Sequence, residues 1–200
     1  MAEPIQFYFD FSSPYGYIAS QLIDAVGAKH GRAIVWRPIL LGAIFKITGM
    51  QPLTEIPIKG EYMKRDFARS ARLHGIPFRM PDPFPFSGVA ANRAFYWLEA
   101  SDPVKAHDLA NALYRAAFAR NQEIGSVDGV IQIATQLGVD ADAIGAGLQS
   151  AEVKDRTRAA NDAAVAAGIF GSPTFVVDGE PFWGADRLDQ VEKWLVSGGW

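Results

Sequence analysis

The chain of 200 residues contains no cysteine. It therefore forms no disulfide, builds no thiolate metal site and has no thiol nucleophile of its own. Histidine is also scarce: His30, His74 and His107 lie far apart, without metal-ligand spacing, and read as surface or helix-end residues. No stretch approaches the roughly 18 apolar residues that a membrane-spanning helix needs. Residues 1–10 hold no basic region followed by an apolar core, so no signal peptide is expected. Neither sign of charge dominates, with 19 Lys and Arg against 22 Asp and Glu and a net charge of -3. That balance leaves no basic surface for nucleic acid and no polybasic patch for a membrane. A glycine-rich phosphate loop, internal repeats and low-complexity tracts are missing too. The expectation is a soluble, cytoplasmic protein whose partner is a small molecule.

Apolar residues, 49% of the chain, are spread along its whole length, enough for a compact core. The run from Ile5 to Phe11 alternates and is rich in aromatics, as a strand would be. Ser12-Ser13-Pro14 follows, a helix-start signal with proline in the first turn. Apolar residues at helical spacing then run to a stop near His30-Gly31. Ala33 to Arg37 reads as a second strand, ended by Pro38. Strand, helix and strand within about 35 residues make a βαβ unit.

From Leu40 to Gly168 the pattern is mainly helical, with helices predicted over Lys59–His74, Ser87–Ala100, from Asp102-Pro103 onward, Ser126–Leu137, Asp140–Leu148 and Glu152–Ala167. An irregular loop with four prolines and the apolar tips Phe78 and Phe84 lies between Pro77 and Pro85. At the end, Thr174–Val177, an Asp178-Gly179 turn and Pro181–Trp183 read as a β-hairpin, and Asp186 is placed to cap a last helix. The order predicts an α/β protein with a thioredoxin-like fold and a large all-helical insertion. Its boundaries are 1–40 and 169–200 for the sheet domain and 41–168 for the insertion.

Two positions stand out for chemistry. Ser13 lies at the strand-to-helix junction, where backbone N–H groups and the helix dipole favour an anion; it also reads as a plain N-cap. Ser172-Pro173 precedes the hairpin, where a thioredoxin arrangement sets a cis-proline against the first-helix turn and leaves the preceding backbone free to pair with a peptide. Without cysteine, such a site cannot exchange disulfides. It can still hold an imported thiol, because a hydroxyl beside a helix N-terminus favours thiolate over thiol and lowers a pKa that is otherwise about 8.5.

Phe9-Asp10-Phe11-Ser12-Ser13-Pro14-Tyr15, Ile58-Lys59-Gly60-Glu61-Tyr62, Phe170-Gly171-Ser172-Pro173-Thr174 and Trp183-Gly184-Ala185-Asp186-Arg187 occur in this order. Together they resemble the 2-hydroxychromene-2-carboxylate isomerases, a family close to the kappa-class glutathione transferases and sharing their DsbA-type fold. The resemblance implies glutathione as cofactor and a homodimer. It implies that Ser13 contacts the glutathione sulfur and that Lys59 holds a charged end of the tripeptide. Ser172, before the cis-proline Pro173, pairs with it through the main chain, Ala185 is a further glutathione-binding position, and Asp186 receives the γ-glutamyl ammonium. Two positions depart from kappa-class relatives: Met50 stands near an asparagine of theirs, and Ala185 at a serine. Backbone groups or Gln51 are the candidates to take over.

The resemblance further implies a reaction in which a thiolate adds to a conjugated ring-closed enone and is lost again after bond rotation, leaving glutathione unchanged. Tyr15, Phe84 and Trp183 are the aromatics expected to cover a flat substrate, and Arg37 is the cation expected to steer its carboxylate. A kappa-type transferase or peroxidase, and a non-catalytic binding protein on the same scaffold, are the alternative readings.

Overall fold

The computed structural model describes residues 3–200; Met1 and Ala2, the start of the expected sheet domain, lie outside the described residues. The sheet has four strands, β1 (Ile5–Phe9), β2 (Ile34–Pro38), β3 (Thr174–Val177) and β4 (Glu180–Trp183), in the order β2-β1-β3-β4. β2 runs parallel to β1, with Phe7 opposite Trp36 and Tyr8 opposite Arg37. β3 and β4 complete the sheet in antiparallel fashion. The hairpin between them turns at Asp178 and Gly179, whose φ angles of 51° and 88° are those an Asp-Gly two-residue turn adopts.

The period of two along β1 decides which way its side chains go. Ile5, Phe7 and Phe9 are wholly buried, and Gln6 and Tyr8 lie on the opposite face. Phe7 stacks on Phe9 and Phe175 and meets Trp36 edge-on, with centroids 5.0–5.5 Å apart.

Between β1 and β2 the chain forms two helices where one was expected: α1 (Pro14–Ser20) and α2 (Ile23–Lys29). The break has a local cause. The Ser20 hydroxyl donates back to the Tyr17 carbonyl at 2.7 Å, competing with the next amides, and the Leu22 N–H turns to the Ala19 carbonyl in a tighter turn. After β2 come α3 (Leu41–Thr48), a 3₁₀ turn at Leu53–Glu55, α4 (Lys59–Leu73), α5 (Val89–Glu99) and α6 (Pro103–Arg120). They are followed by α7 (Val127–Gln136), α8 (Ala141–Gln149) and α9 (Ala151–Ala166), and α10 (Leu188–Ser197) closes the chain.

The helix starts expected at Asp102, Ser126 and Asp140 hold, each side chain accepting a backbone N–H of its helix's first turn, and Ser150, which the sequence reading did not single out, caps α9 in the same way. Asp186 does not. It lies within a 3₁₀ turn, Ala185–Arg187, and α10 starts without a side-chain cap.

The helices from the middle of the chain share their core with the sheet. Phe95, Leu109, Leu113, Tyr114 and Phe118 of α5 and α6 pack in one continuous cluster with Phe7, Phe9 and Phe175. A smaller cluster of Ile39, Ile44, Ala164 and Ile169 covers the opposite face, against Tyr8 and Val176. Among the described residues, no helix is long and apolar enough to cross a membrane.

Candidate active site

The carboxyl end of β1 runs through Asp10 into the head of α1. Ser13 is the N-cap of α1, 6% exposed, and its Oγ accepts the Gly16 N–H at 3.0 Å. The same hydroxyl donates to the Ser172 carbonyl at 3.2 Å, so the two serines singled out in the sequence meet. The Ser172 Oγ in turn accepts the Asp10 N–H at 2.9 Å, and the Ser172–Pro173 bond is cis. Two hydrogen bonds thus tie residues 162 and 159 apart in sequence.

This close approach needs a glycine at position 16. A Cβ there would come within 2.6 Å of the Tyr114 hydroxyl and 3.0 Å of Ser172 Oγ. In the first turn of α1, Pro14 has no N–H, and the amides of Gly16 and Tyr17 are taken by Ser13. The Tyr15 N–H and, across from it, the Ser172 N–H have no partner among the described residues. They are two backbone donors available to a ligand.

Asp10 anchors the junction from below. Its carboxylate accepts the Ser12 N–H, the Ser12 hydroxyl and the Leu41 N–H, each at 2.7 Å, which fastens the head of α1 to the start of α3. Burial pushes its pKa above the usual carboxylate range despite these donors. The Tyr114 hydroxyl donates to the Asp10 carbonyl at 2.8 Å. Sequence reasoning quoted Asp10 within a motif but gave it no role; a lone aspartate just after a strand looks like any cap.

These groups open on a cleft of about 440 Å³. Ser12, Ser13, Tyr15, Gly171 and Ser172 line it on the side of the sheet, with Trp183 from the end of β4. Leu41, Phe45, Lys46, Met50, Gln51 and Thr54 line it from α3 and the segment after it, and Phe84, Phe86 and Val89 from the proline-rich loop and α5. The lining is mostly apolar, and its volume suits a small organic ligand. Among the described residues, no cluster of three or more His, Asp or Glu is placed to hold a metal ion.

Of the sequence candidates, Ser13, Tyr15, Phe84, Ser172 and Trp183 line this cleft. Pro173 is buried directly beside it. The Tyr15 hydroxyl donates to Asp66, and burial followed by that partner drives its pKa far up, so the phenol stays protonated. Trp183 is half exposed, and its indole packs edge-on against Phe170 at 4.8 Å.

Lys59, Ala185 and Asp186 are not among the lining residues. Lys59 opens α4 after a tight turn in which its N–H donates to the Pro57 carbonyl at 2.7 Å. Ile58, between them, holds φ at 68° and is 95% exposed, a strained conformation for a β-branched residue. Asp186 is exposed and pairs with Arg187 at 3.5 Å; its charge acts on Tyr15, which sets it near the head of α1.

Arg37 does not belong to the cleft. It projects from β2 on the face of Gln6 and Tyr8, and its Nε donates to Gln6 Oε1 at 2.6 Å. The residues that sequence reasoning missed, Lys46 and Phe45 above all, lie on a helix without a cap signal.

The model of the DsbA-like thioredoxin domain family matches residues 4–196. The chain is 32% identical over 204 residues to a 2-hydroxychromene-2-carboxylate isomerase of Sphingobium xenophagum, covering 98% of this chain and 100% of that protein. It is 30% identical to a protein named glutathione S-transferase kappa 2 of Caenorhabditis elegans, over 96% of this chain and 92% of the relative. A solved 2-hydroxychromene-2-carboxylate isomerase superposes with a TM-score of 0.84 at 28% identity, over 94% of this chain and 92% of the other. The family match over nearly the whole chain and these relatives place the molecule: the chain belongs to the DsbA-like thioredoxin-domain family, in the group of the 2-hydroxychromene-2-carboxylate isomerases and the kappa-class glutathione transferases.

Proposed function

We propose that the protein is a glutathione-dependent isomerase that interconverts 2-hydroxychromene-2-carboxylate and trans-o-hydroxybenzylidenepyruvate, or a close aromatic analogue. The observation that carries this reading is the Ser13 hydroxyl, buried at the head of α1 and facing Ser172 across the mouth of an apolar cleft, in a chain without cysteine.

The residues present fit the tripeptide. The open N–H of Ser172 suits its backbone, the open N–H of Tyr15 and the hydroxyl of Ser13 suit an anionic sulfur, and Lys59 and Asp186, outside the lining of the cleft, carry charges that its termini need. Met50 and Gln51 both line the cleft, which supports Gln51 as the side-chain amide that takes over from the asparagine of kappa-class relatives. When bound, glutathione supplies the nucleophilic sulfur that this chain lacks. The Ser13 hydroxyl, which donates to the Ser172 carbonyl, swings its hydrogen toward that sulfur and so favours the thiolate. Phe45, Phe67, Phe84 and Phe86 exclude water and stack against a flat substrate. The resemblance that supports the activity also supports a homodimer, which sedimentation of the purified protein tests.

Calorimetric titration with reduced glutathione, paired with an assay on the chromene, tests the reading. Binding together with turnover that consumes no net glutathione is the expected result. Stoichiometric loss of glutathione with an aryl halide or peroxide, and none of the isomerisation, would place the protein with the transferases. No binding of any low-molecular thiol would leave only a thioredoxin-fold binding protein.

A further inference from the structure

Lys46 sits on the last turn of α3, exposed to solvent and lining the cleft. Among the other lining residues only Asp10 is charged, and its carboxylate is already taken by Ser12 and Leu41. Lys29, Lys64 and Lys105 each have a carboxylate partner, at 3.0, 2.6 and 3.9 Å, whereas the ammonium groups of Lys46, Lys59, Lys154 and Lys193 have no acceptor among the described residues, and of these four lysines Lys46 is the one that lines the cleft. Phe45, Phe67, Phe84 and Phe86 line the same cleft. A cation without a counter-ion, in a slot of aromatic walls, is complementary to a flat ligand with an anion at one end. The walls take the rings, and the ammonium at the rim takes the anion through a charge-assisted hydrogen bond.

We propose that Lys46 binds the carboxylate of a planar aromatic substrate and thereby selects aromatic acids over neutral aromatics of the same shape. The proposal deepens the isomerase reading and rests on it for the fate of that substrate. It assigns to α3 the role that the sequence had suggested for Arg37. A lysine near a helix C-terminus also complements the helix dipole, and a purely structural role of that kind would leave ligand selectivity untouched. Glutathione carries carboxylates too, so the experiment must separate the two.

The test is calorimetric and needs no turnover. The parent protein, Lys46→Gln and Lys46→Arg are titrated with trans-2-hydroxycinnamate, with its neutral amide and with reduced glutathione. The parent is expected to bind the acid about tenfold more tightly than the amide, and Lys46→Gln to lose that preference while Lys46→Arg keeps most of it. Glutathione affinity is expected to stay within about twofold in both variants. A Lys46→Gln protein that loses glutathione affinity but keeps the acid preference would assign Lys46 to the tripeptide and overturn the proposal. Equal affinities for acid and amide in the parent would overturn it as well. A parent that prefers the acid through Lys46 yet binds no glutathione would keep the subsite and sink the glutathione reading alone.

Discussion

Ser13 caps α1 and, on the proposed reading, also holds a sulfur, and mutation can separate the two. As N-cap it satisfies the Gly16 N–H, and its loss in Ser13→Ala is expected to cost about 1 kcal/mol of stability, read from the denaturant midpoint. As sulfur partner its loss is expected to return the titration midpoint of bound glutathione, followed by thiolate absorbance, from below to near the free-thiol value of about 8.5. A variant that loses stability but keeps the depressed midpoint would confine Ser13 to capping. Gly16→Ala tests the same corner sterically. With the Tyr114 hydroxyl 2.6 Å from the added methyl, it is expected to destabilise by about 1–3 kcal/mol in thermal melts. Both serines were readable in the sequence because each sits in a local signal, Ser-Pro at a helix start and Ser-Pro at a strand start. Asp10 was not, because its acceptors' partners lie at Ser12 and, through the fold, at Leu41.

At the level of elements, the turn before α4 concentrates strain next to Lys59. Replacing the exposed Ile58 by glycine removes no packing and lets the positive φ relax, so stability is expected to rise by about 1 kcal/mol. Glutathione affinity is expected to fall in the same variant if the strained turn is what aims Lys59; an unchanged affinity would dismiss that role.

The seam between α2, β2 and α6 predicts a pH dependence. The His107 Nε2–H donates to the Asp24 carboxylate at 2.8 Å, and the ring packs edge-on to Trp36, whose Nε1 donates to the same carboxylate at 3.2 Å. The Asp24 hydrogen bond raises the His107 pKa above its usual 6.5, against the effect of burial. The imidazolium therefore stabilises the fold fully below about pH 6.5, and this contribution disappears as pH rises through the higher folded-state value. Since the pair is partly exposed, the effect is expected to be only a few tenths of a kcal/mol. Asp24→Asn should lower the His107 midpoint seen by NMR and destabilise the protein more at pH 6 than at pH 8; equal losses at both pH values would refute the linkage. The split between α1 and α2 escaped sequence reading because apolar spacing continues through it, and only the Ser20 back-bond interrupts the ladder.

For the whole molecule, the continuous core decides how it unfolds. Phe95, Tyr114 and Phe118 pack with Phe7 and Phe9 in one cluster, so the sheet and the helical segment are expected to melt together. Fluorescence from Trp36 in β2 and Trp97 in α5, each isolated by replacing the other tryptophans, should report coincident transitions; separated midpoints would mean two independent units. Phe118→Ala, at the centre of that cluster, is expected to cost about 3–5 kcal/mol. By itself the sequence determined the class of fold, the absence of an intrinsic thiol and the two serines that meet at the head of α1, because periodicity, caps and turn residues are written over short stretches of chain. Only the tertiary structure decided the rest of the cleft. It turned Arg37 away to the Gln6 face, where the strand's alternation sends it, and it carried Lys46 from an unremarked helix into the wall. Residues 10, 46, 86 and 172 face one space through packing between elements far apart in the chain, and no local pattern encodes that convergence.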